Sequence, residues 1–237
     1  MIFNIGVLII CTGKYQIFFD ELYKSCENFF LVGHPKTYYV FTDGDINEYD
    51  NVKKIYQENL GWPNNTMKRF EIFNKIYEKL IQQDYLFFLN ANMLFVDNVG
   101  DEVIPKKENN FLVGTQHPGY YNQNIDDYPY ERRPESTLSV PFGVGNHYYQ
   151  GCFNGGSSKN FLEMSSILSN KINEDLKNGI TPIYHDESAI NWYFLNMNPL
   201  LMDCGYSYPG NLEIPFTKKI IQRNKAEYGG YDYLRTP

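Results

Sequence analysis

Apolar positions along the first half of the chain alternate between unbroken runs and helical spacing. Residues 2 to 11 are apolar except around Gly6, Thr12-Gly13-Lys14 interrupts the run, and Tyr15, Phe18, Phe19, Leu22, Tyr23 and Cys26 then recur at three- and four-residue steps. This pattern predicts a strand, a turn and a helix. A second buried strand is expected over Thr37 to Thr42, closed by Asp43-Gly44-Asp45, and a short third one over Val52 to Tyr56. After Gly61-Trp62-Pro63, polar caps at Asn64, Asn65 and Thr66 introduce one helix with Met67, Phe70, Phe73, Ile76, Tyr77 and Leu80 facing inward. Tyr85-Leu86-Phe87-Phe88-Leu89 is apolar at every position, as a central strand covered on both faces should be.

The second half reads differently. From Gln116 to Gly145 the chain is rich in Gly, Pro, Tyr and charge, which suits a substrate-binding excursion. Phe153 to Ser158 reads as a glycine-bearing turn. A helix should follow over Ser158 to Lys177, burying Phe161, Leu162, Ser165, Leu168, Ile172 and Leu176, and another should start near Asp186. Strands alternating with helices imply an α/β fold.

Composition narrows the function. With 237 residues and 43% hydrophobic content the chain can bury a large core, and we read it as one domain. A net charge of −7 argues against nucleic acid as a partner. The four cysteines, Cys11, Cys26, Cys152 and Cys204, have neither C-x-x-C spacing nor histidine neighbours that would make a zinc site, so reduced buried thiols are expected. The apolar start is too short to cross a bilayer and lacks a basic leader, which points to a cytoplasmic protein with no transmembrane segment.

Two local patterns are candidates for chemistry. Asn90-Ala91-Asn92 stands at the carboxyl end of the central strand, where open α/β sheets bind ligands, although a polar turn would explain it as well. His185-Asp186-Glu187-Ser188 puts two carboxylates in the first turn of a helix, where they either cap the helix or face a sugar.

Ordered motifs along the chain then point in one direction: Val32-Gly33-His34-Pro35 with Tyr39-Val40-Phe41-Thr42-Asp43, Met67-Lys68-Arg69-Phe70-Glu71, and Thr115-Gln116-His117-Pro118-Gly119-Tyr120-Tyr121. Tyr130-Glu131-Arg132-Arg133-Pro134, Tyr148-Tyr149 before Gly155-Gly156-Ser157, and His185-Asp186-Glu187-Ser188 with Ile190-Asn191 complete the set. Nearly end to end, the chain resembles glycosyltransferase family 6, which holds the blood-group A and B transferases, the α-1,3-galactosyltransferases and shorter bacterial members. The resemblance implies a GT-A fold: one catalytic domain with a Rossmann-like mixed central sheet flanked by helices. It also implies a UDP-sugar donor and transfer, with retention, to the 3-hydroxyl of a galactose-containing acceptor glycan, fucosylated or not. A donor-binding half over about 1–115, an acceptor-binding and catalytic half over about 116–217 and a donor-closing tail over about 218–237 follow from it.

By the same resemblance, Ile10, Cys11, Thr12 and Tyr15 hold uridine, and Arg69 links the donor to the Asn90-Ala91-Asn92 turn. Asp186 holds the donor sugar, and Glu187 is the catalytic residue at the reacting centre. His117, Thr137, Tyr184 and Glu187 meet the acceptor. Animal members carry Asp-x-Asp where this chain has Asn90-Ala91-Asn92, and amides do not hold a divalent ion as carboxylates do. The resemblance therefore implies catalysis with no metal and no other cofactor, the diphosphate charge being met by Arg69, Lys225 and Arg235. Donor choice is expected at Gln150, Gly151 and Cys152. The bulk of Cys152 favours galactose over N-acetylgalactosamine, whereas Gln150 can hydrogen-bond an amide. The alternative is an inactive UDP-sugar or glycan binder on the same fold.

Overall fold

A computed structural model describes residues 1–236; Pro237, the last residue of the expected tail, lies outside them. The first apolar run forms β1 (Ile5–Ile10), with β2 (Lys36–Thr42) and β3 (Val52–Tyr56) beside it and β4 (Tyr85–Asn90) on its other edge. These four strands are parallel. Beyond β4 the sheet continues with β7 (Tyr149–Ser157), antiparallel to both its neighbours, then β6 (Leu112–Gln116) and β8 (Leu200–Met202). The seven-stranded order is thus β3-β2-β1-β4-β7-β6-β8, a mixed sheet flanked by helices in a single α/β domain of GT-A-like architecture, as expected. Met93–Phe95 (β5), Tyr208–Pro209 (β9) and Ile220–Gln222 (β10) make a second, three-stranded sheet.

The continuous apolar reading of β4 has a direct cause. Phe87 and Leu89 join the cluster on one face with Val7, Ile9 and Phe153, while Leu86 and Phe88 join Leu8, Phe161 and Leu162 on the other. Alternate side chains of a strand face opposite sides, so a strand buried on both must be apolar throughout. Helix α1 (Phe19–Phe29) packs Phe19, Leu22 and Cys26 into the first cluster, and α5 (Ser158–Lys177) packs Phe161, Leu162 and Leu168 into the second. Ser157 caps α5 through its hydroxyl, which accepts from the Asn160 N–H.

Four expectations change. The helix expected from Asn64 to Leu80 is three pieces: α2 (Asn64–Met67), α3 (Arg69–Asn74) and α4 (Tyr77–Leu80). Lys68 and Ile76 leave helical geometry at ψ values of 9° and 29°, and burial of Phe70, Ile72, Phe73 and Leu80 outranks helical continuity. Tyr77, expected inward, is exposed. Tyr15 to Phe18 belong to a 3-10 helix, with α-helix only from Phe19.

Phe153 to Ser157 are not a turn but the inner part of β7. A Cβ on Gly155 would sit 2.5 Å from the Leu86 carbonyl oxygen and one on Gly156 2.5 Å from that of Phe111. Close strand contact, not chain reversal, is why glycine stands there.

Two further helices complete the chain, α6 (Asp186–Phe194) and α7 (Gly230–Arg235), and the loop from 117 to 148 is anchored by a small cluster of Tyr128, Tyr130, Val140 and Tyr148. Among the described residues no helix is long and apolar enough to cross a membrane.

Candidate active site

The antiparallel pairing of β7 with β4 assembles the site. Leu89 pairs with Phe153, so Gln150, Gly151 and Cys152 run on past the end of β4 toward Asn90 and its turn. On the other edge of β7, Gln116 pairs with Tyr149, and the His117 N–H donates to the Tyr148 carbonyl. The starts and ends of three strands therefore converge at the carboxyl edge of the parallel strands, where ligands of such sheets bind.

Helix α6 is fixed to β7 by Asn191, whose side chain accepts from the Tyr149 N–H at 2.8 Å and donates to the Tyr149 carbonyl at 2.8 Å. That clamp brings the first turn of α6 over Gly151. Arg69 Nη1 donates to Asp186 Oδ2 at 2.7 Å and to the Gly151 carbonyl at 2.6 Å, and the Gly151 N–H donates to Glu187 Oε2 at 3.0 Å. Each carboxylate side chain in this first turn is held by a partner from outside the helix. A Cβ at position 151 would lie 2.7 Å from Asp186 Oδ2, so only glycine fits between the two carboxylates. The residue ahead of them, His185, adopts a left-handed φ of 54°, an unfavourable conformation for a side chain of this kind held at the entrance to the helix.

Two adjoining cavities open at this end of the sheet; of the junction residues Arg69 lines the first, while Gly151, Asp186 and Glu187 line neither. The first is lined by Ile10, Thr12, Tyr15, Arg69, Asn90, Ala91, Asn92, Lys225 and Arg235, together with Trp62. The second is lined by His117 and Gln150 and shares Asn92, Lys225 and Tyr231 with the first. Cys11 lines neither; its thiol is buried in the core, which pushes its pKa up to about 12. The Cys152 thiol also turns inward, 2.9 Å from Ser207 Oγ, and lines neither cavity, so the steric argument for galactose at that position does not apply. All four cysteines are free and buried.

His117 Nε2 lies 3.9 Å from Glu187 Oε1, and Tyr120, Tyr148 and His117 pack ring to ring with centroids 4.8 to 5.8 Å apart. Tyr184 is 43% exposed and its N–H donates to Ser188 Oγ at 3.0 Å. Thr137 is not brought to this cluster. Its hydroxyl donates to the Lys171 carbonyl and its N–H to Asp175 Oδ1, which ties it to α5.

Burial sets the electrostatics. It pushes Glu187 up to about 8, with the Asp186 charge adding to the shift. Burial also raises Asp186 and lowers Arg69, each partner's charge opposing the change. Desolvation brings His117 down to about 4, so the imidazole is neutral at physiological pH. Lys225 falls to about 8 through burial and the nearby Arg235 charge. The Arg235 guanidinium stacks on Trp62 at 4.2 Å and on Tyr231 at 4.5 Å. Arg69 lies over Phe88 at 4.3 Å, and its Nε and Nη2 are buried with no hydrogen-bond partner among the described residues.

Sequence reasoning missed Arg223. Its guanidinium is buried beneath the Asn90-Ala91-Asn92 turn and donates to the carbonyls of Phe18, Ala91, Asn92 and Met93, with Glu21 as its ionic partner at 2.5 Å. Asn92 answers by donating its Nδ2 to the Arg223 carbonyl at 3.1 Å. Trp62 and Tyr120 were also assigned no role in the sequence, although their motifs were visible. No three His, Cys, Asp or Glu side chains among the described residues gather as metal ligands.

The chain matches the model of glycosyltransferase family 6 over residues 2–226. It is 38% identical over 234 residues to the O-antigen biosynthesis glycosyltransferase WbnI of Escherichia coli, covering 98% of this chain and 99% of that one. It is 33% identical over 206 residues to the histo-blood group ABO system transferase 2 of Rattus norvegicus, covering 83% of this chain and 60% of that protein. A globoside alpha-1,3-N-acetylgalactosaminyltransferase 1 of Gallus gallus is 34% identical over 209 residues, with 83% and 59% covered. The chain therefore spans about three fifths of these two animal relatives and nearly all of the bacterial one. A family match across 2–226, on a GT-A-like sheet whose two cavities adjoin at Asn92, Lys225 and Tyr231, means that this chain belongs to glycosyltransferase family 6.

Proposed function

We propose that this chain transfers galactose or N-acetylgalactosamine from a UDP-sugar to the 3-hydroxyl of a galactose-containing acceptor glycan, fucosylated or not, with retention and without a divalent metal. The observation that carries this reading is the buried junction of Arg69, Gly151, Asp186 and Glu187, which reaches the first cavity through Arg69 and faces His117, a lining residue of the second, through Glu187. A donor in the first cavity would set its uridine against Ile10, Thr12 and Tyr15, with the Cys11 thiol out of reach in the core, and its diphosphate near Lys225, Arg235 and Arg69. The unpartnered Nε and Nη2 of Arg69 supply donors for an anionic oxygen. Asp186, oriented by Arg69, would hold sugar hydroxyls.

Glu187 is fixed at Oε2 by the Gly151 N–H, and its Oε1 points toward His117, the side from which an acceptor galactose held by His117 and Tyr184 would come. Two routes give retention. Glu187 attacks the anomeric carbon and the acceptor displaces it, or the acceptor enters on the face the phosphate leaves while Glu187 stabilises positive charge and the phosphate takes the proton. In both, growing charge on the diphosphate must be offset, and the metal-independent reading rests on the cations around a turn whose side chains are amides. Residues 1–115 would then bind the donor, 116–217 the acceptor, and 218–237 would close over the diphosphate. The cytoplasmic location expected from the sequence is part of this proposal and is testable by fractionation.

The test is UDP release from UDP-galactose and UDP-N-acetylgalactosamine in excess EDTA, with and without a fucosylated galactoside. Turnover that survives EDTA supports the reading. Loss with EDTA overturns metal independence, and UDP binding with no turnover of either donor leaves a binding protein in place of an enzyme.

A further inference from the structure

Thr181 to His185 lead from the end of α5 into the first turn of α6, and the 117–148 loop grips them from one side. Glu131 of that loop is buried, and both of its carboxylate oxygens are occupied. Arg133 Nε donates to Oε1 at 2.8 Å and Arg133 Nη2 to Oε2 at 2.5 Å, a two-point pairing that fixes the plane of the guanidinium. Oε2 also accepts from the Ile183 N–H at 3.0 Å, and Arg133 Nη2 donates to the Thr181 carbonyl at 2.6 Å. This clamp stands on a fixed base. Buried Asp175 of α5 accepts at its carboxylate from the Ser136 hydroxyl and the Thr137 N–H, and at its carbonyl from the Ile180 N–H.

The chain that the clamp holds enters a strained turn. The Glu187 N–H donates to the Tyr184 carbonyl at 2.9 Å, and His185, at the second position of the turn so closed, has φ 54° and ψ −118°. Those are the angles of a type II′ turn, whose second position is ordinarily glycine because a Cβ is opposed there. A residue with a side chain keeps such angles only where its surroundings impose them. Beyond the turn, Arg69 and Gly151 hold the two carboxylates; before it, Glu131 and Arg133 hold the chain two and four residues ahead of His185. Taking the transfer proposed above as the reaction, on which this step rests, we propose that Glu131 and Arg133 are positioning residues, which impose the strained turn at His185 and through it aim Glu187 at the reacting centre and Tyr184 at the acceptor. A displacement of about 1 Å at a reacting group is enough to cost about a hundredfold in rate.

The experiment measures kcat, acceptor KM with a fucosylated galactoside, and UDP affinity by calorimetry for the unaltered chain, Glu131→Ala and Arg133→Met, each with and without His185→Gly. Glu131→Ala should lower kcat about tenfold or more and raise acceptor KM. UDP affinity should stay within about threefold, because no residue from 117 to 188 lines the first cavity. Glycine adopts the turn unaided, so in the His185→Gly background Glu131→Ala should lower kcat by less than about threefold. Arg133→Met removes the Thr181 contact from a partly exposed position and should act in the same direction; if Glu131→Ala does not fold, this variant carries the test. A lower thermal midpoint with kcat and acceptor KM unmoved would make the clamp structural only and overturn the proposal. So would a loss of UDP affinity equal to the loss of kcat, a kcat loss just as large in the His185→Gly background, or loss of turnover in His185→Gly alone. Each of these, in a chain that turns over donor, overturns this step and leaves the transferase reading standing. Turnover of neither donor by the unaltered chain overturns that reading and this step with it.

Discussion

Arg69 Nη1 and Asp186 Oδ2 stand 2.7 Å apart with both side chains almost fully buried, 117 positions apart in sequence, and the same guanidinium nitrogen also bonds the Gly151 carbonyl. The pair joins α3 to α6 across the end of the sheet, so the orientation of one carboxylate depends on a helix from the other half of the chain. Removing one member of a buried pair leaves a charge with neither water nor partner.

Arg69→Ala should therefore lower stability by about 3–5 kcal/mol, read as a fall in the urea midpoint. The paired replacement Arg69→Met with Asp186→Leu should recover most of that stability and none of the turnover. Recovery of turnover would show that the pair is structural only.

The pH dependence of kcat/KM should be a narrow bell centred near 8. Glu187 is held near 8, so the carboxylate needed at the anomeric centre forms as pH rises and gives the acid limb. Lys225 is also near 8, and its charge, needed against the diphosphate, is lost as pH rises further and gives the alkaline limb. Lys225→Arg keeps a charge throughout this range and should flatten the alkaline limb while leaving the acid one. An alkaline limb unchanged in Lys225→Arg assigns it to another group.

Glu187 also makes stability depend on pH. Its folded pKa of about 8 lies above the ordinary 4.5, so the folded state keeps a proton that the unfolded chain has lost. Its favourable contribution is complete below about 4.5, declines as pH rises, and is gone above about 8. Glu187→Gln mimics the protonated form. Its thermal midpoint should match that of the parent at pH 4.5 and exceed it at pH 8.5, while turnover is lost and UDP binding is kept. A gap that does not widen with pH contradicts the shift.

How much of this was readable beforehand depended on whether a feature is local. β4 and α5 were legible because double-sided burial and amphipathic spacing are written in consecutive residues. The first turn of α6 was legible too, although its carboxylates looked like caps until Arg69 and Gly151 supplied partners from elsewhere in the chain. Gly155 and Gly156 resembled a turn because close strand contact and chain reversal both call for glycine, and only the neighbours distinguish them. Cys152 was weighed by size when its direction decided the matter. Arg223 gave no local signal: it is one charge in a polar stretch, and its importance comes from four carbonyls, three of which lie about 130 residues earlier.

Those carbonyls make Arg223 the support of the turn on which the first cavity rests. A planar guanidinium can serve several carbonyls of one bend at once, whereas a lysine ammonium cannot span them in the same geometry. In Arg223→Ala the oxygens of Phe18, Ala91, Asn92 and Met93 lose a charged donor inside the fold and Glu21 loses its partner, which should cost about 3 kcal/mol or more. Arg223→Lys keeps the charge and should retain part of that stability. Because Asn90, Ala91 and Asn92 line the first cavity, UDP affinity measured by calorimetry on still-folded protein should fall in both variants, more in the alanine one. Acceptor KM should rise as well, because Arg223 and Asn92 also line the second cavity beside His117. Undiminished UDP affinity in folded Arg223→Ala would separate the brace from the site and leave Arg223 a purely structural charge.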